Sequence, residues 1–405
     1  MSSQSELSNS KKIKIEKLLK ILSLTVQSSS NDVKNLGLLT GLTGELLFLW
    51  KISQHDNNYV DENIIIEKFQ FLQNNLSLAT SNINLSFGLI GLGWFLEYIN
   101  QAQTEDYDPE LCEDIDAMLL KAMSIESWGG EIEMVMGLAG MSVYGARRHL
   151  KSDLTVFYEK LINHFENMAT QVSENTITWL QPSYSIYRLD KEHIEKPEYN
   201  FGLAHGVPGI IAAIVPALKI PSLYSQTKKM LIQSCDWLLQ QQLNKVDKRS
   251  YFSSSSNSTH STRLAWCYGD LTIALTLYRV GKALNLPTYM EIGIKISLHA
   301  SCRDEIQALV NDAGLCHGSA GLMLIFKLLY QETGLKEFQQ ATVKWLDYTL
   351  DLFDKKGLPG LYKMSGYDKS YSESTDFLEG YAGIGLCLLA TLDGEADWTD
   401  CLMLS

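Results

Sequence analysis

The sequence predicts an all-α chain, an α/α toroid built from seven helix-pair repeats. Three observations lead there. Short glycine-bearing turns recur along the chain, each opens a strongly apolar stretch, and each follows a run with one polar and one apolar face. A helix that is apolar nearly all round must be buried on every side, whereas its two-faced partner can lie between core and water. The pattern therefore reads as two layers, apolar helices inside amphipathic ones. Neither end of the array shows a polar capping repeat, which favours a closed ring over an open solenoid.

The elements follow in order. An amphipathic run at 11–26, with apolar Ile13, Ile15, Leu18, Leu19, Ile21 and Leu22, precedes Gly41-Leu42-Thr43-Gly44 and the apolar 45–52. Residues 59–79 lead to Gly88 and Gly91, 109–123 to Gly137 and Gly140, and 153–171 to Gly206, Gly209 and the apolar 210–218. Residues 223–243 lead to Gly269, where Thr272 replaces the second glycine; 287–309 lead to Gly318, Gly321 and the apolar 322–330. The last pair joins 336–353 to Gly380, Gly383 and 384–392. First glycines are thus spaced by 47, 49, 69, 63, 49 and 62 residues. Glycine twice, three apart, permits close backbone approach at a crowded helix start and a turn with positive φ. All the turns hold the same place in the repeat, so their side chains converge on one mouth.

Two longer connections, 173–199 (strand-like, with Tyr184, Tyr187, Arg188 and His193) and 355–376, lie where loops carry substrate contacts or plain surface cover. The chain is read as one domain over 1–405, with 1–9 a disordered N-terminus. Apolar residues make up 45% of the 405, enough for a large core. The net charge of −13 disfavours nucleic acid and anionic membrane surfaces as partners. No apolar run reaches the ~18 residues of a membrane span, and the polar start lacks a signal-peptide core. Seven cysteines, an odd number thinly spread, point to a reducing cytoplasm.

Chemistry concentrates in three turns. Cys267 and the pair Cys316-His317 hold equivalent places in successive repeats, 49 residues apart. Singly, either cysteine reads as a small buried hydrophobe. Jointly, two thiolates and an imidazole make a zinc set with an open fourth position, the mark of a catalytic site. His205 holds the corresponding place in the fourth repeat and suits proton transfer or support of the site. Arg263 stands near the rim, where it could hold an enolate or carboxylate. Glu133 is the nearest carboxylate to the mouth, and Trp266 and Tyr268 flank the zinc cysteine as candidate walls of a substrate cavity.

Trp266-Cys267-Tyr268-Gly269, Cys316-His317-Gly318 and Ala204-His205-Gly206, in this order among the glycine turns, resemble the lanthionine synthetase C-like family, whose best-known members are lanthipeptide cyclases. The resemblance runs from about Leu36 to Leu392. It implies an α/α toroid, zinc on Cys267, Cys316 and His317, and catalytic or substrate-handling roles for His205 and Arg263. This chain has Glu133 where the family commonly has aspartate. The implied reaction is a Michael-type addition of peptide cysteine thiols to dehydroalanine or dehydrobutyrine, closing lanthionine or methyllanthionine rings. The substrate is then a dehydrated ribosomal precursor peptide, made by a separate dehydratase, and the enzyme works in the cytoplasm or peripherally at the inner membrane in a complex with an exporter. Two readings stay beside it: addition of glutathione to dehydroamino acids, and a zinc-stabilised peptide-binding module without catalysis.

Overall fold

The computed structural model describes residues 7–180, 198–243, 249–365 and 368–405. In chain order its helices are α1 (Asn9–Gln27), α2 (Leu42–His55), α3 (Glu62–Asn74), α4 (Leu76–Ala79), α5 (Leu89–Ala102), α6 (Glu113–Ala122), α7 (Leu138–Arg148) and α8 (Thr155–Met168). They continue as α9 (Val207–Ile214), α10 (Tyr224–Leu239), α11 (Asp270–Leu284), α12 (Pro287–Ser301), α13 (Glu305–Ala308), α14 (Ser319–Thr333), α15 (Lys336–Lys356) and α16 (Tyr381–Asp393). Every expected helix pair is present. The run expected over 59–79 is broken at Asn75 into α3 and the one-turn α4, and that over 287–309 ends at Ser301 before α13. The strand-like signal after α8 is a small antiparallel hairpin of β1 (Thr170–Ser173) and β2 (Thr176–Thr178). Residues 181–197, with Tyr184, Tyr187, Arg188 and His193, lie outside the described residues. A second hairpin pairs β3 (Lys363–Met364) with β4 (Tyr371–Ser372).

The glycine turns are one device repeated. In six of them the N–H after the first glycine donates to the carbonyl seven residues earlier. The pairs are Leu42 to Asn35, Leu89 to Asn82, Leu138 to Glu131, Val207 to Asn200, Ser319 to Asp312 and Tyr381 to Ser374, at 2.8–3.1 Å. A loop closed that tightly leaves no room for a side chain: a β-carbon on Gly140 or Gly321 would collide with the carbonyl six residues back, of Met134 or Leu315. Positive φ, the other expected use of the glycines, occurs among these turns only at Gly269, at +109°. That is also the turn in which Thr272 stands for the second glycine and its hydroxyl bonds the Gly269 carbonyl at 3.4 Å. A different backbone path at the first glycine goes with room for a β-carbon three residues on.

The chain divides into two compact units, Met1–Ser81 with Val310–Trp398, and Asn82–Leu309 with Thr399–Ser405. In the first, α16 packs against α1, α2 and α14, and α15 lies along α14. The polar face of α1 is tied to α15 by Lys11 to Asp347 at 2.7 Å and Lys14 to Asp354 at 2.6 Å. Its turns are linked through the main chain: Cys316 N–H donates to the Leu378 carbonyl at 2.7 Å and Leu378 N–H to that of Leu39 at 3.0 Å. In the second unit α7 lies between α5 and α9, α9 meets α11, and α12 lies along α11. The same ladder recurs, from Leu85 to Val135 at 3.1 Å, Met134 to Ala204 at 3.2 Å and Ala204 to Cys267 at 3.3 Å. The segment from Thr399 is anchored beneath it, with Arg147 to Asp400 at 2.6 Å and the Trp266 indole N–H on the Leu402 carbonyl at 2.9 Å.

The apolar helices are as buried as their composition demands. Leu322, Met323, Leu324, Ile325 and Phe326 of α14 are all fully buried, each worth about 1.5–3 kcal/mol relative to exposure. Lys327 interrupts that run and gives its ammonium group to the Ala390 carbonyl on α16. Burial pushes its pKa from 10.5 down to about 8, against the upward pull of Asp393.

Two outcomes are expected. Gly321→Ala should lower the unfolding free energy by about 1–3 kcal/mol, because the Leu315 carbonyl must move; an unchanged urea midpoint would show that the turn relaxes freely. Between pH 8 and 10.5 the unfolded chain binds a proton at Lys327 that the folded chain has released. Stability contributed by this group therefore rises with pH across that window, and Lys327→Met should abolish that part of the rise in urea midpoints measured from pH 8 to 10.5.

Candidate functional site

Two positions in each turn decide what reaches solvent. The residue just before the first glycine is at least partly exposed in all seven: Thr40, Phe87, Met136, His205, Tyr268, His317 and Glu379. The residue before that is buried in five, as Leu39, Ser86, Val135, Ala204 and Leu378. The two exceptions, half-exposed, are Cys267 and Cys316. Both thiols therefore leave the core where their counterparts stay in it.

In the first unit, Cys316 is held by its own main chain on Leu378. His317 Nε2 lies 3.4 Å from Asp312 Oδ2 and 3.8 Å from Glu379 Oε1. The Asp312 carboxylate is 1% exposed and also accepts the N–H groups of Met364 at 3.0 Å and Gly314 at 3.2 Å. Burial raises its pKa, but the hydrogen bond and charge of His317 together with those two N–H groups outweigh it, so the carboxyl titrates below its ordinary range. Glu379 is more exposed and is paired with Lys363 at 3.3 Å.

In the second unit, the Cys267 carbonyl receives the Ala204 N–H, so this turn is pinned by its neighbour. His205 Nδ1 is 3.1 Å from Glu133 Oε2. The Glu133 side chain is 6% exposed and caps its own turn, accepting the N–H of Val135 and of Met136, each at 2.7 Å. A carboxylate committed as acceptor to those groups takes a hydrogen from the ring as well, which places the ring's proton on Nδ1. The Tyr268 ring lies beside His205, centroids 6.2 Å apart, and its hydroxyl accepts the Asn200 amide at 2.7 Å. Arg263 is half-buried on the loop, its carbonyl packed under Gly269. Trp266 does not join this group: it is 1% exposed and its indole is spent on Leu402.

Sequence reasoning named neither Asp312 nor Asn200. Both occupy the place six before the first glycine, which is Asn35, Asn82, Glu131, Asn200, Arg263, Asp312 and Ser374 around the array. It is polar every time, and that regularity was the available signal.

Two thiols and an imidazole, none fully buried, make a donor set that could hold a metal ion. The family model described as Lanthionine synthetase C-like protein matches residues 32–403. The chain belongs to the lanthionine synthetase C-like family. It is similar to the protein called "Nisin biosynthesis protein NisC" of Lactococcus lactis subsp. lactis, 21% identical over 389 residues, 88% of this chain and 85% of that one. The solved structure titled "Nisin cyclase" superposes with a TM-score of 0.72 over 97% of each chain at 20% identity. That likeness shows the fold, the all-α toroid expected from the repeats. A sugar epimerase from a ruminal bacterium, at a TM-score of 0.46 and 11% identity over 76% of this chain and 88% of that one, is too slight a likeness to bear on it. No helix among the described residues is long and apolar enough to cross a membrane.

Glu133→Ala strands the Val135 and Met136 N–H groups. A loss of about 1–3 kcal/mol in unfolding free energy is expected from denaturant titration; wild-type stability would mean water replaces the carboxylate without cost.

Proposed function

We propose that this chain is a zinc-dependent lanthipeptide cyclase, joining peptide cysteine thiols to dehydroalanine or dehydrobutyrine in a dehydrated precursor peptide. The observation that carries the reading is that a member of this family leaves only Cys267 and Cys316 unburied at their turn position, with His317 beside one of them. The donors suit the ion: sulfur and imidazole favour zinc over magnesium or calcium, and three protein ligands leave one position for a thiol. Bound there, zinc would lower the pKa of the peptide thiol so that thiolate is available near neutral pH.

The protein's own groups do the rest. His205 Nε2, its ring set by Glu133, takes the thiol proton. As the S–Cβ bond forms, the π electrons of the dehydro residue move toward its carbonyl oxygen, and Arg263 offers a charge to the resulting enolate. His205 then returns the proton to Cα, so the peptide changes connectivity but not mass. Both reactants belong to one chain, which gives ring closure the advantage of proximity. Tyr268 walls the approach to His205. A separate dehydratase supplies the substrate, an exporter consumes the product, and the reaction runs in the cytoplasm, alone or in a complex at the inner membrane.

The test combines metal content with thiol consumption on a dehydrated peptide bearing free cysteines, for wild type and Cys316→Ala. About one zinc per chain, lost together with thiol consumption in the variant while the helical circular dichroism persists, is the expected result. Zinc without intramolecular thiol consumption would favour glutathione addition or a binding module. A folded wild type without zinc would overturn the mechanism.

A further inference from the structure

His317 is flanked by two carboxylates, and only one of them is built to hold it. Asp312 Oδ2 lies 3.4 Å from Nε2 and Glu379 Oε1 lies 3.8 Å from the same nitrogen. Asp312 is fixed: its side chain is 1% exposed and receives the Gly314 and Met364 N–H groups, one from its own turn and one from β3. Its main-chain carbonyl also closes the turn, accepting the Ser319 N–H at 3.1 Å. Glu379 is 32% exposed and faces Lys363, which holds it by its other oxygen.

We infer that Asp312 is the positioning residue for His317, receiving its Nε2–H and so presenting Nδ1 as the metal-binding nitrogen. An ionised carboxylate surrounded by donors can only accept, so a ring nitrogen facing it must carry the hydrogen. The opposite nitrogen then carries the lone pair, and its direction is set by a side chain that two elements, its own turn and β3, hold in place. Carboxylates in this relation to a ligating imidazole fix its tautomer and strengthen its basicity. Asp312 also ties the β3–β4 hairpin to the ligand through Met364, so the hairpin and the imidazole share one anchor. Lys363 has a complementary part: by holding Glu379, it keeps the second carboxylate from competing for the ring.

The inference about the ion rests on the zinc reading above; the tautomer does not, and the two are separable. Long-range nitrogen–proton NMR of the full-length protein stripped of metal should show His317 with Nε2 protonated. An Nδ1-protonated ring would overturn the inference whether or not the protein binds zinc. On the metal side, Co²⁺ affinity measured by competition with a chromophoric chelator should fall about 10–100-fold in Asp312→Asn. In Glu379→Gln it should stay within about threefold of wild type. Equal losses in the two variants, or none in Asp312→Asn, would overturn Asp312 as the residue that orients the ring. Should the wild type take up no Co²⁺ while Nε2 is protonated, the zinc reading fails and the assignment of Asp312 to the ring stands.

Discussion

The whole structure depends on a main-chain carbonyl lying flat against a glycine. Each turn folds back until a carbonyl six residues before one of its glycines sits where a β-carbon would be, and in five of the seven the next N–H closes the loop onto that same carbonyl. A side chain does not fit there, which is why six of the seven turns carry two glycines at fixed spacing, the turn at Gly269 taking a different path that admits Thr272. Once closed, the turn starts a helix at a set angle and leaves two consecutive residues at a set height. Core packing then has little freedom: the apolar helix must run inward from that point.

The repeat was legible because its signal is coarse and redundant. Glycine spacing, apolar runs and two-faced runs agree with one another, so an error of a few residues at a helix end, as at Asn75 or Ser301, does not disturb the count. The thiols and imidazoles of the turns stand out for the same reason, as residues out of character at a repeated position. What could not be read was the partner of each imidazole. Glu133 was noticed for its charge, yet its commitment to the N–H groups of Val135 and Met136 depends on where the loop bends. Asp312 shares a polar position with Asn35, Asn82 and Asn200, but its link to Met364, more than fifty residues away, is one that no local pattern carries. Trp266 adjoins Cys267 in sequence, but its side chain goes to the segment from Thr399, a contact that spacing does not encode.

Two histidines meet two carboxylates in different ways. His205 turns Nδ1 to a glutamate that reaches across from the neighbouring turn, whereas His317 turns Nε2 to an aspartate in its own turn. A longer side chain suits the first case, since it must span between turns while capping the one it belongs to. The shorter one suits the second, where the loop itself brings the carboxylate under the ring.

The ladder that joins neighbouring turns uses main-chain atoms alone. The ladder therefore asks nothing of the side chains at the two positions before each first glycine, and the second of them carries residues as different as Thr40, Phe87, Met136 and Glu379. The architecture behaves as a numbered rack: seven sockets, six closed in the same way, indifferent to what is plugged into them. Selection can rewrite the contents of one socket while the others, and the frame, stay as they were. A cyclic scaffold of this kind can change its chemistry faster than its fold.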